Sequence, residues 1–481
     1  MQFSAIARIL GLLLLLFSVS LLPPIVVSWY YQDGETRYFL YTLGGLLGVG
    51  LLSRLLAPGS ADLRTRDGFL IVTLFWAGLG FVSGLPFHFS PTPHLSYTDA
   101  TFEALSGFTT TGATVLQQIE ILPPSLLYYR QQLQWLGGMG MIVLAVAVLP
   151  MLGVGGMQLY RAEIPGPVKD EKLTPRLART AQLFWLFYVG LTVLGALAFW
   201  AAGMTPFDAI GHSFSAISTG GFSTHDASLG FFNSPLIEAI AIVLMLAGAM
   251  NFSVHFLSWR QRSLKVYWRN EEVRAFLLIV LGLTVLIAVC LYFSGRYGML
   301  ASLRHSAFTL VSIITSTGFI TEAFAEWPVF LSLLLIYISF IGGCAGSTAG
   351  GVKVVRILLL LKQSYREIMR LIHPRGMIPI KISGHAIGDD VKSAVWGFFA
   401  LYVFTAAGLT ILMVSTGLDV LSAFSAVAAC LNVLGPGLGD VAVNFATVTT
   451  PGKWILIIAM LLGRLEIFTV LVLLTPAFWR R

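Results

Sequence analysis

Charge is what this sequence has least of. Of its 481 residues only 11% are Asp, Glu, Lys or Arg, while 56% are hydrophobic; a soluble domain carries about 25% charged residues. So few charges cannot clothe a water-facing surface, which excludes a soluble globular protein and leaves most of the surface to a lipid bilayer. Cysteine is nearly as scarce. Cys290, Cys344 and Cys430 each lie in apolar sequence without ligand spacing, so neither a disulfide framework nor a bound metal centre is expected. There is no Rossmann fingerprint, and the stretch from Gly346 to Lys353 has the wrong glycine-to-lysine spacing for a phosphate-binding loop. Clustered His, Asp or Glu with catalytic spacing is missing too, so the chain does not read as an enzyme and no bound cofactor is expected. The net charge of +7 invites a nucleic-acid partner, but the basic residues sit in short loops between apolar runs, as in membrane proteins, and nucleic acid is not expected.

Apolar runs are what the chain has instead. A bilayer core takes roughly 20 helical residues to cross, and runs of that order occur near 5–27, 38–56, 68–86, 132–153, 180–202, 234–257, 273–294, 328–362, 394–416 and 453–475. The first resembles a signal peptide in length, but it lacks a basic leader beyond Arg8 and a small-residue cleavage site, so a retained helix is expected.

Four shorter apolar segments, too interrupted to cross, stand between these runs. One leads through Thr98 and Asp99 to Thr109, Thr110, Thr111, Gly112 and Ala113. A second opens with Thr205-Pro206 and ends Ser218, Thr219, Gly220, Gly221. A third runs from Ser302 to Ser316, Thr317, Gly318 and Phe319, and the last from Asp419 to Asn432, Val433, Leu434, Gly435 and Pro436. The repeating unit is span, short helix, glycine turn, span, with central glycines 112, 220, 318 and 435 at a period of about 100 residues, the size of a structural module. Thr98 or Asp99, Thr205 with Pro206, and Asp419 all suit a first helical turn; Ser302 is a poorer start. The expected fold is all-α and polytopic, with two leading helices (1–60) followed by modules at 61–170, 171–265, 266–380 and 381–481.

Loop charge gives an independent test of that topology. With the amino terminus inside, the inner loops hold Arg54, Arg64 and Arg66; Arg161, Lys169, Lys172, Arg176 and Arg179; Arg260, Arg262, Lys265, Arg269 and Arg274; and Arg366, Arg370, Arg375, Lys381 and Lys392. The chain closes inside on Arg480 and Arg481, so both termini are expected in the cytoplasm. Only Arg37, Arg130, Arg296, Arg304 and Lys453 fall outside. Every inner loop obeys the positive-inside rule, and all four short helices enter from the outer face.

Non-helical backbone at membrane depth is tolerated only where protein buries it or water reaches it. A short helix stopping near the midplane directs the partly negative end of its dipole inward, and a glycine turn then presents carbonyl oxygens. Four of these around one axis would replace the hydration shell of a cation, as in a potassium filter. The hydroxyls of Thr110, Thr111, Ser218, Thr219, Ser316 and Thr317 stand beside them. The competing reading is that these glycines only permit close helix packing; four copies at module spacing on one side argue for the filter.

The motifs 109–114 (TTTGAT), 218–223 (STGGFS), 317–319 (TGF), 434–439 (LGPGLG), 135–140 (WLGGMG), 157–168 (MQLYRAEIPGPV), 341–353 (IGGCAGSTAGGVK) and 463–468 (GRLEIF) together resemble the Trk/Ktr/HKT superfamily of potassium transporters, specifically its TrkH-type bacterial membrane subunits. The resemblance implies potassium uptake across the inner membrane through one pathway per subunit of a homodimer, under a cytoplasmic nucleotide-binding ring subunit. It assigns Gly112, Gly220, Gly318 and Gly435, with their flanking residues, to a pseudo-fourfold filter whose fourth quadrant departs from threonine–glycine. Sodium- or proton-coupled symport within the superfamily is the alternative. The inner basic loops 157–179, 260–274 and 362–392 are the natural docking surfaces for the ring subunit, although their charges also serve topology.

The run at 328–362 is too long for one crossing and breaks at a glycine-, serine- and alanine-rich stretch that is poor helix. By the resemblance this stretch is a gating loop below the filter, comprising Gly343, Cys344, Ala345, Gly346, Ser347, Thr348, Gly350 and Gly351 and ending on Lys353, which would sit at the cytoplasmic mouth or snorkel. Arg464 lies within the last apolar run, where a charge is costly and by default functional. The resemblance points it at the pore as a barrier to cations; the competing partner is Glu466. His212 reads as a packing residue, Glu103 has no acidic counterpart in the other copies, and Asp226 and Glu322 sit at the outer vestibule or are simply solvated.

Overall fold

The computed structural model describes residues 3–57, 65–143, 173–376 and 378–480. The motif at 157–168 and the basic residues Arg64, Arg161, Lys169 and Lys172 lie outside the described residues.

The described chain is helical but for one small hairpin. Two leading helices, α1 (Phe3–Val19), running on into α2 (Leu22–Tyr31), and α3 (Thr36–Leu56), pack against one another. Then follow α4 (Thr65–Ser83), α5 (Leu85–Phe89), α6 (Tyr97–Phe108) and α7 (Pro124–Val143). The second repeat holds α8 (Leu173–Ala201), α9 (Pro206–Ile217), α10 (Pro235–Ala249), α11 (Phe252–Gln261) and α12 (Lys265–Arg269). The third holds α13 (Glu271–Phe293), α14 (Met299–Ile314), α15 (Val329–Ser339) and α16 (Val354–Ile372). Strands β1 (Lys381–Ile382) and β2 (His385–Ala386) make the hairpin. The last repeat is α17 (Asp389–Val414), α18 (Val420–Leu431), α19 (Thr450–Arg464), α20 (Phe468–Leu474) and α21 (Pro476–Trp479).

Six helices among the described residues are long and apolar enough to cross a membrane, and two further pairs qualify if each bent pair is one span. Both bends correct a reading of unbroken spans. The run at 234–257 turns by 100° between α10 and α11, because the Asn251 side chain accepts the Ser253 N–H (2.8 Å) and starts a new helix there. The run at 453–475 turns by 115° between α19 and α20, where Glu466 and Ile467 both take positive φ. The run at 328–362 splits as expected, with α15 ending at Ser339 and α16 beginning at Val354.

The short helices α6, α9, α14 and α18 occupy the same place in each repeat, between one apolar run and the next. Ser96 caps α6 by accepting the Asp99 N–H (3.1 Å), Thr205 caps α9 through Asp208 N–H (3.1 Å), and Asp419 caps α18 through Leu421 and Ser422 (2.9 and 3.2 Å). Each such cap is worth about 1 kcal/mol. The third starts at Met299 after Gly298, three residues before Ser302 and without a side-chain cap. The carboxyl-terminal halves of these four helices are largely buried, from Ala104 to Phe108, Ser215 to Ile217, Phe308 to Ile314 and Ser425 to Leu431, while Met299, Leu300 and Val420 at the starts are exposed.

Candidate functional site: a four-part ring and the loop beneath it

Each short helix ends in the same way. The residue after the cap takes a left-handed conformation, at Thr110 (φ 59°), Thr219 (53°), Ser316 (54°) and Val433 (59°). The next N–H reaches back five residues: Thr111 to Ser106, Gly220 to Ser215, Thr317 to Ser312 and Leu434 to Ala429, at 2.7–2.9 Å. This is the Schellman termination, normally built on glycine. Here it falls on three hydroxyl residues and a valine, and non-glycine left-handed residues carry strain of about 1 kcal/mol or more. One residue on from that N–H, φ is positive again, at Gly112 (80°), Gly221 (80°), Gly318 (83°) and Gly435 (98°).

That backbone register corrects the assignment in the second copy. Gly221 is the counterpart of Gly112, Gly318 and Gly435, while Gly220 stands where Thr111, Thr317 and Leu434 stand. Aligning on the threonine–glycine pair puts the second copy one residue out, because the pattern Ser-Thr-Gly-Gly does not reveal which glycine turns.

The four turns close on each other in order. A Cβ on Gly112 would strike the carbonyl oxygen of Gly220, one on Gly221 that of Thr317, one on Gly318 that of Leu434, and one on Gly435 would come within 2.8 Å of the carbonyl of Thr111. Each glycine thus packs against the preceding carbonyl of the next quadrant, and the fourth returns to the first. Only residues without a Cβ permit this approach. The helix carboxyl ends, with their partial negative charge, meet around the same axis.

Side chains hold the ring from behind. Gln134 of α7 donates Nε2–H to the Gly220 carbonyl (2.6 Å) and accepts the Phe222 N–H (3.0 Å), filling the space that position 220 leaves without a side chain. Glu103 accepts from Arg130 Nε–H (2.8 Å), the Thr114 hydroxyl (3.0 Å) and the Val115 N–H (3.0 Å), and Arg130 also donates to the Ser223 carbonyl (3.2 Å), joining first and second quadrants. Both groups of this pair are buried, and removing one partner of such a pair costs about 3–5 kcal/mol. Asn432 receives the Tyr402 hydroxyl and donates to Ser339 Oγ (2.7 Å), anchoring the divergent fourth quadrant. A run of amides (Gln131, Gln132, Gln134) in an apolar helix is the signal that could have found Gln134; Arg130, expected only as an outer-loop charge, lies buried within α7, and nothing local marked Tyr402.

The hydroxyls are placed less uniformly than expected. Thr111 and Thr317 bond the hydroxyls of Thr109 (2.7 Å) and Thr315 (2.8 Å). Ser218 turns back to the Ser215 carbonyl (3.2 Å). Thr219 meets Thr348 (3.3 Å) and Ser316 Oγ accepts the Gly350 N–H (2.6 Å), so both face the loop below rather than the ring.

That loop, 340–353, brings its expected residues together directly under the turns. Thr348 Oγ1 lies within bonding distance of the carbonyls of Ile217 (3.0 Å) and Gly248 (2.9 Å), and a Cβ on Gly350 would strike the Asn432 carbonyl. Cys344 N–H donates to Ala249 (2.9 Å), Gly346 accepts from Phe252 N–H (3.2 Å), and Ser347 Oγ donates to Cys344 (2.6 Å). Gly343 is wedged against Ala249 and Ala349, and Gly351 (φ 76°) against Gly342. Ala345 donates its N–H to Glu272 (2.7 Å), an acid that sequence reasoning passed over. Lys353 does not snorkel: it is buried, and its ammonium group donates to the Ala349 carbonyl.

Arg464 is buried beside the loop. Its Nη1 donates to the Thr348 carbonyl (2.9 Å), its Nη2 to the Gly137 carbonyl (3.0 Å), and the guanidinium lies 5.4 Å from the centre of the Trp76 ring. Glu466 is not its partner, because the chain turns between them; Glu466 pairs with Arg356 (2.5 Å). His212 is a packing residue, with both ring nitrogens at hydrogen-bond distance from the Asp208 carbonyl (2.8 Å) and Ser223 Oγ (2.9 Å).

Of the five basic residues expected on the outer side, four are matched by acids: Arg130 with Glu103, Arg296 with Glu326, Arg304 with Glu238 and Lys453 with Asp99. Asp226 accepts the Ile119 N–H (2.9 Å), and its own N–H donates to Glu120 (3.0 Å). Burial and the contact with Glu120 raise the Asp226 carboxyl above its ordinary range, while the hydrogen bond from Asp226 lowers that of Glu120. Glu322 lies 3.4 Å from the Tyr297 hydroxyl.

A bundle of this topology with four mutually closed turns has known relatives. The family model described as TrkH, cation transport protein, matches residues 47–481. This chain belongs to the TrkH family. The Trk system potassium uptake protein TrkH of Halomonas elongata is 52% identical over the full length of both chains, and that of Escherichia coli (strain K12) is likewise 52% identical over the full length of both. The crystal structure of the potassium transporter TrkH from Vibrio parahaemolyticus matches with a TM-score of 0.93 at 50% identity, covering 100% of each chain. The pseudo-fourfold membrane fold is therefore that of the TrkH family.

Proposed function

We propose that this chain takes up potassium across the inner membrane through the ring of carbonyls at Thr111, Gly220, Thr317 and Leu434, with the neighbouring turn carbonyls extending the path. One observation carries the reading: four positive-φ glycines each face the carbonyl of the next quadrant and close a single circuit. A dehydrated cation needs several oxygens at fixed spacing, and converging helix carboxyl ends supply the field that replaces its water. Pairing of these four basic residues with acids removes positive charge from the cation's approach. The short helices enter from the outer face, and both termini are cytoplasmic, on the strength of the positive-inside distribution.

Loop 340–353 is the gate, and Arg464 is a positive barrier below the filter; both readings are supported by contacts of the loop with the second, third and fourth turns and with the guanidinium. The subunit works as a homodimer with a cytoplasmic nucleotide-binding ring protein, for which the basic helix α16 and the hairpin after it offer a docking surface. The test of the central reading is flux into proteoliposomes with potassium, rubidium and sodium. Potassium and rubidium are expected to enter far faster than sodium; equal sodium flux defeats the selective-filter reading.

A further inference from the structure

Helix α13 opens with two adjacent carboxylates, Glu271 and Glu272, and they reach in different directions. Asn270 caps the helix by accepting the Val273 N–H (2.9 Å), which fixes the position of both acids in the first turn. Glu272 is fully buried, and its Oε1 accepts two backbone N–H groups: Ala345 (2.7 Å), in the middle of loop 340–353, and Val355 (3.2 Å), just past its end. One carboxylate oxygen therefore clips the loop to the start of α16. Glu271 faces the cytoplasmic hairpin: it pairs with Lys362, and its Oε2 accepts the Ser383 N–H at the hairpin turn (2.7 Å). Lys362 in turn donates to the Lys381 carbonyl (2.7 Å) of β1.

Hairpin, Lys362, Glu271, Glu272 and loop thus form one hydrogen-bonded chain through two consecutive residues of a rigid helix start. We propose that Glu272 is a positioning residue that latches the loop in its closed arrangement, and that Glu271 makes this latch answer to the position of the hairpin. The proposal rests on the reading of loop 340–353 as the gate. It gives a regulator bound at the hairpin a mechanical route to the pathway: drawing the hairpin away pulls on the start of α13 and withdraws the carboxylate from Ala345. Hydrogen bonds to an ionised acceptor are about twice as strong as neutral ones, so a Gln at 272 keeps the shape and weakens the clip.

The loop carries its own reporter, Cys344. In a Cys290→Ser, Cys430→Ser background, the rate at which a membrane-impermeant methanethiosulfonate modifies Cys344 from the cytoplasmic side is measured together with potassium flux. Glu272→Gln is expected to speed modification severalfold and raise flux, with the potassium-to-sodium ratio unchanged. Glu272→Asp, which keeps the charge but shortens the arm, is expected to do the same to a lesser degree and covers the case in which the glutamine variant fails to fold. Glu271→Gln is expected to loosen the loop alone, but to add little to Glu272→Gln, because it acts through it. A Cys344 rate unchanged in both Glu272 variants overturns the latch. Effects of Glu271→Gln that add in full overturn the coupling to the hairpin. Faster modification with unchanged flux supports the latch and instead defeats the reading of the loop as a gate.

Discussion

Arg464 holds two carbonyls from different parts of the chain, Thr348 in the loop and Gly137 in α7, so its charge and its hydrogen bonds act together. A hydrogen bond to a charged donor is worth about 1.5–3 kcal/mol. Arg464→Gln removes the buried positive charge and loosens the loop from α7, and on the proposed barrier role it is expected to raise potassium flux about tenfold, at about 1.4 kcal/mol per decade. Flux that falls or stays level in well-folded Arg464→Gln protein excludes a barrier role. At this scale the sequence was readable where chemistry is unusual for its surroundings: an arginine in an apolar run and a glycine after threonine. It was not readable where conformation decides. Gly220 and Gly221 are chemically identical, and only φ separates the ring glycine from the one whose place Gln134 fills. Glu272 went unnoticed because an acid beside an inner loop looks like ordinary solvated charge until its burial is known.

The elements divide in a similar way. Length and apolarity announce the long helices, and capping residues announce α9 and α18. The bends at Asn251 and Glu466 escaped because an apolar run reads as one span whether or not its backbone turns inside it; Asn251 was the one local sign. Helix α16 illustrates how an element joins loop 340–353 to the hairpin. It starts at the end of loop 340–353, carries Lys362 to the hairpin, and holds the buried Arg366 and the exposed Arg370, both bonded to the exposed Glu367. If a ring subunit docks here, Arg366→Glu with Arg370→Glu is expected to lower its binding in a pull-down from detergent while leaving the potassium-to-sodium flux ratio intact. Undiminished binding would move the docking surface elsewhere.

For the whole molecule, the module period of about 100 residues was enough to anticipate four quadrants around one axis. What the period cannot convey is how the quadrants are joined. The joints are made by residues far apart in sequence, such as Gln134 on Gly220, Arg130 on Ser223 and Asn432 on Ser339, and by carbonyls approached so closely that only glycine fits. Because the circuit is closed, widening any one contact displaces its neighbours, and the four glycines should behave as a set although the fourth quadrant reads Asn-Val-Leu-Gly rather than threonine–glycine. The most direct measurement is the potassium-to-sodium flux ratio in proteoliposomes for Gly112→Ser, Gly221→Ser, Gly318→Ser and Gly435→Ser, each with its folding checked. The ring predicts that the ratio collapses toward parity in every one of the four, Gly221 included; a ratio left intact in all four, or lost in one quadrant alone, contradicts it.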